Sequence, residues 1–360
     1  MLPFIETFSG TPYEMGLQQG KIFKHVIKAD LHQSAMRHHF QGSDEYLRKS
    51  KEVSRNLNKE IAPWIEEEML GISEGSGIDV EWLHLLNLRI WETPNLTYDK
   101  NSDTPKPPII DSSGCTAFGM ITKEDGVVIG GNLDDQRYPY ALIRRIPKVG
   151  LAHVTVARVG GIWNQNGMNE AGLFMAADGM GKHPDFIDSD PAPLPANGTI
   201  KRLILQTCHT VDEAIELIRK SRTSHNFVLG DAQGNLAAVQ VMGSLFDVQY
   251  AKDYEDMVFC TNHAFMKGIV GPLRLQNCEP FVAEKSKVRF EVLEEARKKL
   301  PRNFATLQKM LISHDGHPNS ICNNLTVFSL MAKPQKDKSF LYAADAPPCR
   351  NSYGKFSIKI

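Results

Sequence analysis

The chain has 360 residues, 42% of them hydrophobic and 23% charged, enough apolar material for one large domain or two ordinary ones and too much for a generally disordered protein. Its 41 basic and 42 acidic side chains nearly cancel. No overall field therefore favours nucleic acid or an anionic membrane surface, and a small neutral or mixed-charge substrate is the expected partner.

The first residues, MLPFIETFSG, lack the basic start and long apolar run of a secretory signal, and no stretch of about 18 apolar residues occurs, so a cytoplasmic protein without a membrane span is expected. Residues 11 to about 93 read as helical. Thr11-Pro12-Tyr13-Glu14 is a capping box with Pro in the first turn. Glu60 to Leu70 is rich in helix formers, Gly71 to Gly77 reads as a break, and Asp79-Val80-Glu81-Trp82 restarts a helix carrying Leu83, Leu86 and Ile90 at helical spacing. From Thr93 to Ser113 the residues are Pro, Asn, Asp and Ser, the composition of an exposed, extended connector. The connector ends at Gly114-Cys115.

Beyond Cys115 the pattern turns strand-like, at Thr116 to Thr122, Val127 to Ile129, Ala152 to Arg158 and Leu173 to Ala177. Ile200 to Arg219 reads as helix with a second capping box at Thr210-Val211-Asp212-Glu213. Strands resume at Phe227 to Leu229, Ala237 to Val241 and Met257 to Cys260. Helices at about 282 to 300 and 304 to 312 then precede strands at Leu325 to Met331 and Phe340 to Ala343. Runs of strands separated by runs of helices indicate an α+β domain rather than βαβ alternation.

Six cysteines (Cys115, Cys208, Cys260, Cys278, Cys322 and Cys349) stand singly, without the paired spacing of zinc sites, and most read as small buried hydrophobes. His38, His39, His314 and His317 read as surface histidines, so no metal and no cofactor is expected. Asn169 and Glu170 read as a hairpin turn, and Asp231 and Gly234 as turn residues.

Cys115 is the candidate nucleophile. A cysteine needs a base or a lowered pKa to react, and no His follows it before His153. A free α-amino group titrates at about 7.7–8.0, so a cysteine heading its own chain carries a base on its own backbone. That requires a cut between Gly114 and Cys115, where a polar connector meets a strand.

Along most of its length the chain resembles the autoproteolytic acyltransferase and hydrolase family typified by acyl-coenzyme A:6-aminopenicillanic acid acyltransferase, within the N-terminal nucleophile hydrolases. The resemblance lies in SGTPYEMGLQQG, IAPWIEEEMLGISEGSGIDVEWLHLLNLRIWE, SSGCTAFG, GMNEAGL, SHNFVLGDAQGN, CTNHAF and ADAPPC, in that order. It implies that Cys115 is nucleophile and, through its freed amine, general base. It carries Asp134 over from a G-x-N-x-D turn at Gly130-Gly131-Asn132-Leu133-Asp134, as the carboxylate that positions the amine. Gly131 stands where relatives often have Arg. Asn262, in Thr261-Asn262-His263, matches the oxyanion donor, whereas Asp178 stands where many relatives carry a second Asn. A carboxylate repels an oxyanion, so a backbone N–H is the alternative second donor. Arg289 falls inside the apolar arc of Val288, Val292, Leu293 and Ala296 and so needs a buried partner; Ser286-Lys287-Val288-Arg289 resembles the family's S-x-x-R, which pairs Arg289 with Asp134.

The resemblance further implies a four-layer αββα sandwich of two antiparallel sheets. Residues 1–114 are then a helical prosegment and linker retained as a small chain after cleavage, and residues 115–360 the catalytic domain. The expected function is a self-cleaving cysteine amidohydrolase acting on a linear amide through a thioester acyl-enzyme. Three alternatives stay open: an acyltransferase moving an acyl group from acyl-coenzyme A or an amide to an amine, an uncleaved thiol hydrolase pairing Cys115 with a distant His such as His263, and an inactive binding protein on the same fold. Homo-oligomerisation also stays open.

Overall fold

The computed structural model describes residues 4–39, 62–87, 114–135, 138–180, 197–221, 224–273 and 280–358, together with Glu52 and Arg55. The expected connector from Thr93 to Ser113, the helical position Ile90, Cys278, and the side chains of His38 and His39 lie outside the described part.

The chain opens with strand β1 (Ile5–Gly10), helices α1 (Pro12–His39), α2 (Trp64–Ser76) and α3 (Val80–Leu86), then strands β2 (Thr116–Thr122), β3 (Gly126–Asp134), β4 (Tyr140–Pro147), β5 (His153–Arg158), β6 (Asn164–Asn169) and β7 (Phe174–Gly179). Helices α4 (Asn197–Thr207) and α5 (Val211–Ser221) follow, then β8 (Ser224–Gly230), β9 (Leu236–Met242), β10 (Leu245–Tyr250) and β11 (Met257–Cys260). Last come α6 (Lys267–Leu273), α7 (Pro280–Lys299), α8 (Phe304–Leu311), β12 (Thr326–Lys333), β13 (Phe340–Asp345) and β14 (Gly354–Ser357). No helix among the described residues is long and apolar enough to cross a membrane.

Two sheets form, one in the order β1-β4-β5-β6-β7-β8-β9-β10 and the other β11-β2-β3-β12-β13-β14. Alternation along the strands decides what each face meets. Ala117 of β2, Ile129 of β3 and Phe174 and Ala176 of β7 point into the core between the sheets. Phe118 and Met120 point outward to Leu293 and Ala296 of α7 and Leu307, Met310 and Leu311 of α8. On the far side, Met175 and Ala177 meet Ile204 of α4 and Ile218 of α5. The layers run helix, sheet, sheet, helix, as the resemblance implies.

The N-terminal segment carries the expected helices from residue 12 onward and a strand before them. Its first residues form β1, which pairs in parallel with β4 in the register Ile5↔Leu142 to Gly10↔Pro147, so this segment supplies a sheet edge as well as helices. The Thr11 box is present: the Glu14 N–H donates to Thr11 Oγ1 at 3.2 Å and the Thr11 N–H to Glu14 Oε2 at 2.7 Å. The break expected from Gly71 does not occur. Helix α2 runs through Gly71 and Gly75 and ends at Gly77, which adopts the left-handed cap conformation at φ 69°. A Cβ at Gly71 would stand 2.1 Å from the Tyr13 carbonyl oxygen, so this glycine lets α1 and α2 touch backbone to backbone. Packing here outweighs the helix propensity that glycine lacks.

Buried ion pairs fix these helices to the rest. Asp30 of α1 meets Arg158 of β5 at 2.7 Å, and Glu68 of α2 meets Arg202 of α4 at 2.8 Å and Arg145 of β4 at 3.4 Å. Removing one partner from such a pair leaves an uncompensated buried charge and typically costs about 3–5 kcal/mol.

Candidate active site

Strand pairing assembles the site. β2 starts at Thr116 and runs antiparallel to β3 with Thr116 opposite Asn132, which brings the end of β3 beside Cys115. There the Asp134 N–H donates to Cys115 Sγ at 3.4 Å. On the other side of β2, β11 pairs with Cys260 opposite Ala117, so Thr261 and Asn262 emerge next to the cysteine. The Asn262 turn is held by the Asn226 amide on Thr261 O at 2.5 Å, and by Gln240, whose carbonyl accepts from the Phe265 and Met266 N–H groups. Helix α7 lays Arg289 across this edge, and β7 of the facing sheet brings Asp178.

All the expected site residues meet in one buried cluster. Asp134 and Asp178 are fully buried, while Arg289 is 1%, Asn262 2% and Cys115 8% exposed. Arg289 Nη1 donates to the Cys115 carbonyl oxygen and to Thr116 Oγ1 at 2.9 Å, and Nη2 donates to Asn262 Oδ1 at 2.8 Å. Thr116 Oγ1 in turn donates to the Gly114 carbonyl oxygen at 3.5 Å. The Asn262 amide gives one hydrogen to the Gly179 carbonyl at 2.8 Å.

The expected direct pair between Arg289 and Asp134 is replaced by a longer-range interaction. In the strand order β11-β2-β3-β12, Arg289 sits over the β11 and β2 ends, whereas Asp134 is engaged from the β12 side by Asn323, whose Nδ2 donates to Asp134 Oδ2 at 2.6 Å. The arginine still favours the charged form of Asp134 through space.

Burial dominates the titration of the cluster. It raises Asp134 to about 6, with the Arg289 charge and hydrogen bonds from Thr326 and Asn323 pulling the other way. It raises Asp178 to about 8, against the pull of Arg289 and Lys201. Among the described residues neither Asp178 oxygen has a hydrogen-bond partner; the Ala117 N–H lies close enough to favour the charged carboxylate without hydrogen-bonding geometry. At neutral pH the arrangement therefore holds a guanidinium, an ionised Asp134 and a protonated Asp178, whose hydroxyl is a donor. The Cys115 thiol is pushed up to about 12, by burial first and then by Asp178 and Asp134, with the Asp134 N–H partly offsetting them. In the uncut chain the sulfur is a thiol.

His263 is engaged away from Cys115. Its Nδ1 is 2.7 Å from Ser286 Oγ and 3.2 Å from Thr261 Oγ1, and its ring packs edge-on against Phe290. Asn169 and Asp231 have the structural roles read from the sequence. Asn169 closes the β6–β7 turn, its Oδ1 accepting from the Leu173 N–H at 3.0 Å while its amide also donates to Leu205 O and Cys208 O, and Asp231 accepts the N–H groups of Val211, Gln233 and Asn235.

Thr116 and Asn323 escaped the sequence reading. Thr116 adjoins the nucleophile; Asn323 sits in a polar turn before β12, where its Oδ1 also accepts from the Leu325 N–H, the pattern of a local turn-former. A cavity of about 490 Å³ borders the cluster at Gly114, Arg289 and Asn323 and extends to His314, Cys322 and Cys349.

Among solved structures, the chain is similar to penicillin V acylase from Agrobacterium tumefaciens (16% identity, TM-score 0.42, covering 68% of this chain and 86% of that one). It is similar to the N-acylethanolamine-hydrolyzing acid amidase ortholog of Caenorhabditis elegans (14%, 0.41, 61% and 93%). It also resembles a mutant form of conjugated bile acid hydrolase from Clostridium perfringens (13%, 0.41, 68% and 92%). These likenesses are too distant to bear on chemistry or substrate. No curated protein matches the sequence. The model of one family matches residues 123–330, more than half of the chain, beginning just after β2 and spanning Asp134, Asp178, Asn262 and Arg289. The chain belongs to the acyl-coenzyme A:6-aminopenicillanic acid acyl-transferase family.

Proposed function

We propose that this protein is a cysteine amidohydrolase that cuts its own Gly114–Cys115 bond and then cleaves a linear amide through a thioester on Cys115. The observation that carries the reading is the chain of bonds from Arg289 through Thr116 to the Gly114 carbonyl, beside a thiol that has no histidine partner among the described residues. The Thr116 hydroxyl, itself polarised by the Arg289 guanidinium, is aimed at the Gly114 carbonyl oxygen and stabilises the negative charge that develops there when the carbonyl carbon is attacked.

In the first stage the Cys115 sulfur attacks the Gly114 carbonyl carbon, the C–N bond breaks, and the nitrogen takes up the proton. Water then hydrolyses the thioester, leaving a Gly114 carboxylate, a free thiol and a new α-amine. Asp134, ionised at neutral pH and adjacent to Cys115, holds that amine and favours its charged form. In the second stage the α-amine accepts the thiol proton, the thiolate attacks the substrate carbonyl, and the amine returns the proton to the leaving nitrogen. The second N–H of Asn262 and the hydroxyl of protonated Asp178 are the two donors assigned to the oxyanion. A neutral Asp178 resolves the conflict that a carboxylate would create at that position. Residues 1–114 stay bound as a small chain through the buried pairs of Asp30 and Glu68.

Transfer to an amine differs only in which nucleophile resolves the acyl-enzyme, and the family's name keeps that reading alongside hydrolysis. The test is a panel of N-acyl amines, N-acyl amino acids and penicillins, each with and without acyl-coenzyme A and an acceptor amine, with intact-mass detection of acylated Cys115. Hydrolysis predicts release of free acid without an acceptor. An inert panel with no acylated cysteine would leave the protein a binding scaffold.

A further inference from the structure

The fold brings together three metal-ligating side chains that the sequence keeps far apart. The ligand atoms of His314, Cys322 and Cys349 all lie within 4.8 Å of one another. His314 follows α8, Cys322 precedes the Asn323 turn, and Cys349 lies in the turn between β13 and β14.

The backbone fixes all three segments. The Cys322 N–H donates to Ser313 O at 3.0 Å, which ties Cys322 to the residue before His314. Ser320 Oγ donates to Cys322 O at 2.6 Å. The turn carrying Cys349 is pinned by the Ala346 N–H on Val327 O at 2.8 Å and closed by the Arg350 N–H on Pro347 O at 3.0 Å.

We propose that His314, Cys322 and Cys349 form a zinc site with its fourth position open to the adjoining cavity. Two sulfurs and one imidazole nitrogen are the donor set of an open zinc site, in which water takes the remaining position. Zn–S bonds of about 2.3 Å and Zn–N bonds of about 2.0–2.1 Å place tetrahedral ligand atoms roughly 3.5–3.8 Å apart. Separations of up to 4.8 Å close to that range by small rotations of the exposed His314 and Cys349 side chains toward the buried Cys322. The two thiols lose their protons to solvent as the ion binds, and the imidazole binds neutral. Soft thiolates select zinc over calcium and magnesium, which take oxygen ligands.

The position gives the metal something to do. Cys322 immediately precedes Asn323, whose amide holds Asp134 beside Cys115. Zinc would brace that arm and join the Asn323 turn, the end of α8 and the C-terminal hairpin into one rigid wall of the cavity that reaches Gly114 and Arg289.

The test uses the full chain as Cys115→Ala, which removes the proposed nucleophile and keeps the chain uncut, so its outcome is separate from the self-cleavage reading. Reduced and chelator-stripped protein is titrated with zinc against a chromophoric chelator, and with cobalt by absorption spectroscopy. The expected result is one equivalent of either metal. Cobalt should give a thiolate charge-transfer band in the near ultraviolet and d–d bands of tetrahedral strength. Cys349→Ser and His314→Ala change exposed side chains, so both should keep the parent's circular dichroism and thermal melt. Each should weaken zinc binding by more than about 100-fold, beyond what loss of an outer-shell partner costs. Three outcomes would overturn the proposal: no stoichiometric binding, binding that survives Cys349→Ser, or a cobalt spectrum without the thiolate band. If the first outcome is accompanied by a Cys322–Cys349 disulfide that forms readily in air, the pair belongs to redox chemistry instead.

Discussion

Asp178 offers the sharpest physical test, because its neutrality follows from burial that outweighs the pull of Arg289 and Lys201. Its carboxyl titrates near 8 in the folded chain against an ordinary value of 3.8. A raised folded-state pKa contributes stability that is fully present below the unfolded value and is lost as pH rises through the folded one. Here the window runs from about pH 4 to about pH 8. One pKa unit is about 1.36 kcal/mol, so ionising the unfolded chain while the folded chain must keep its proton costs on the order of 4 kcal/mol by pH 7. Asp178→Asn abolishes that loss. Relative to its parent, the variant should gain about 1.4 kcal/mol per pH unit across the window and then level off. A buried amide adds a constant offset, so the slope is what tests the reasoning. Urea unfolding of Cys115→Ala and Cys115→Ala/Asp178→Asn from pH 4 to pH 9, with unchanged m-values, measures it. A stability difference that does not vary with pH, or that moves against the variant as pH rises, would refute a protonated Asp178.

Three further outcomes follow from the site. A Cβ at Gly114 would stand 2.5 Å from Asp134 Oδ2 and 3.3 Å from Asn323 Nδ2, so Gly114→Ala should push the carboxylate off Asn323. Losing a charge-assisted hydrogen bond should lower the stability of the uncut Cys115→Ala chain by about 1.5–3 kcal/mol in urea unfolding, and parent-like stability of Gly114→Ala in that background would contradict the packing. Asn262→Ala should lower turnover of a cleaved enzyme by about 100- to 1,000-fold with little change in KM, since the donor acts on the oxyanion; a change confined to KM would make Asn262 a binding residue. In steady-state profiles, rates should fall on the alkaline side as Asp178 ionises near pH 8, and Asp178→Asn should lose that limb, because an amide stays neutral and still donates. An alkaline limb that persists in the variant assigns it to another group.

The parts of this molecule set by local rules were legible in its sequence. The strand starting after Cys115, the Thr11 box, the helix bearing Arg289 and the hairpin that returns Asp134 to the cysteine all depend on residues close in sequence or on simple periodicity. What was missed depends on distant partners. β4, which pairs with β1, does not read as a strand from a sequence that carries Arg144 and Arg145, and Arg145 is tolerated inside because Glu68 of α2, Asn164 of β6 and Gln19 of α1 meet it. Gly71 read as a helix breaker because its packing partner, the Tyr13 carbonyl, belongs to another helix. Asn323, Thr116 and the cluster of His314, Cys322 and Cys349 carry no spacing signature, since strand order and turn geometry alone bring them to their sites. The protonation of Asp178 likewise depends on burial between two sheets, which no residue type announces.

The central claim is that Cys115 heads its own chain, and the mass of the purified protein decides it. Apportioning 40.3 kDa over 114 and 246 of 360 residues gives fragments of about 13 and 27 kDa. Wild-type protein should show both by intact mass after denaturation, co-eluting as one particle beforehand, with the larger fragment beginning at Cys115 and with Cys115→Ala remaining whole. A wild-type protein that stays a single 40.3 kDa chain while hydrolysing amides would contradict the account.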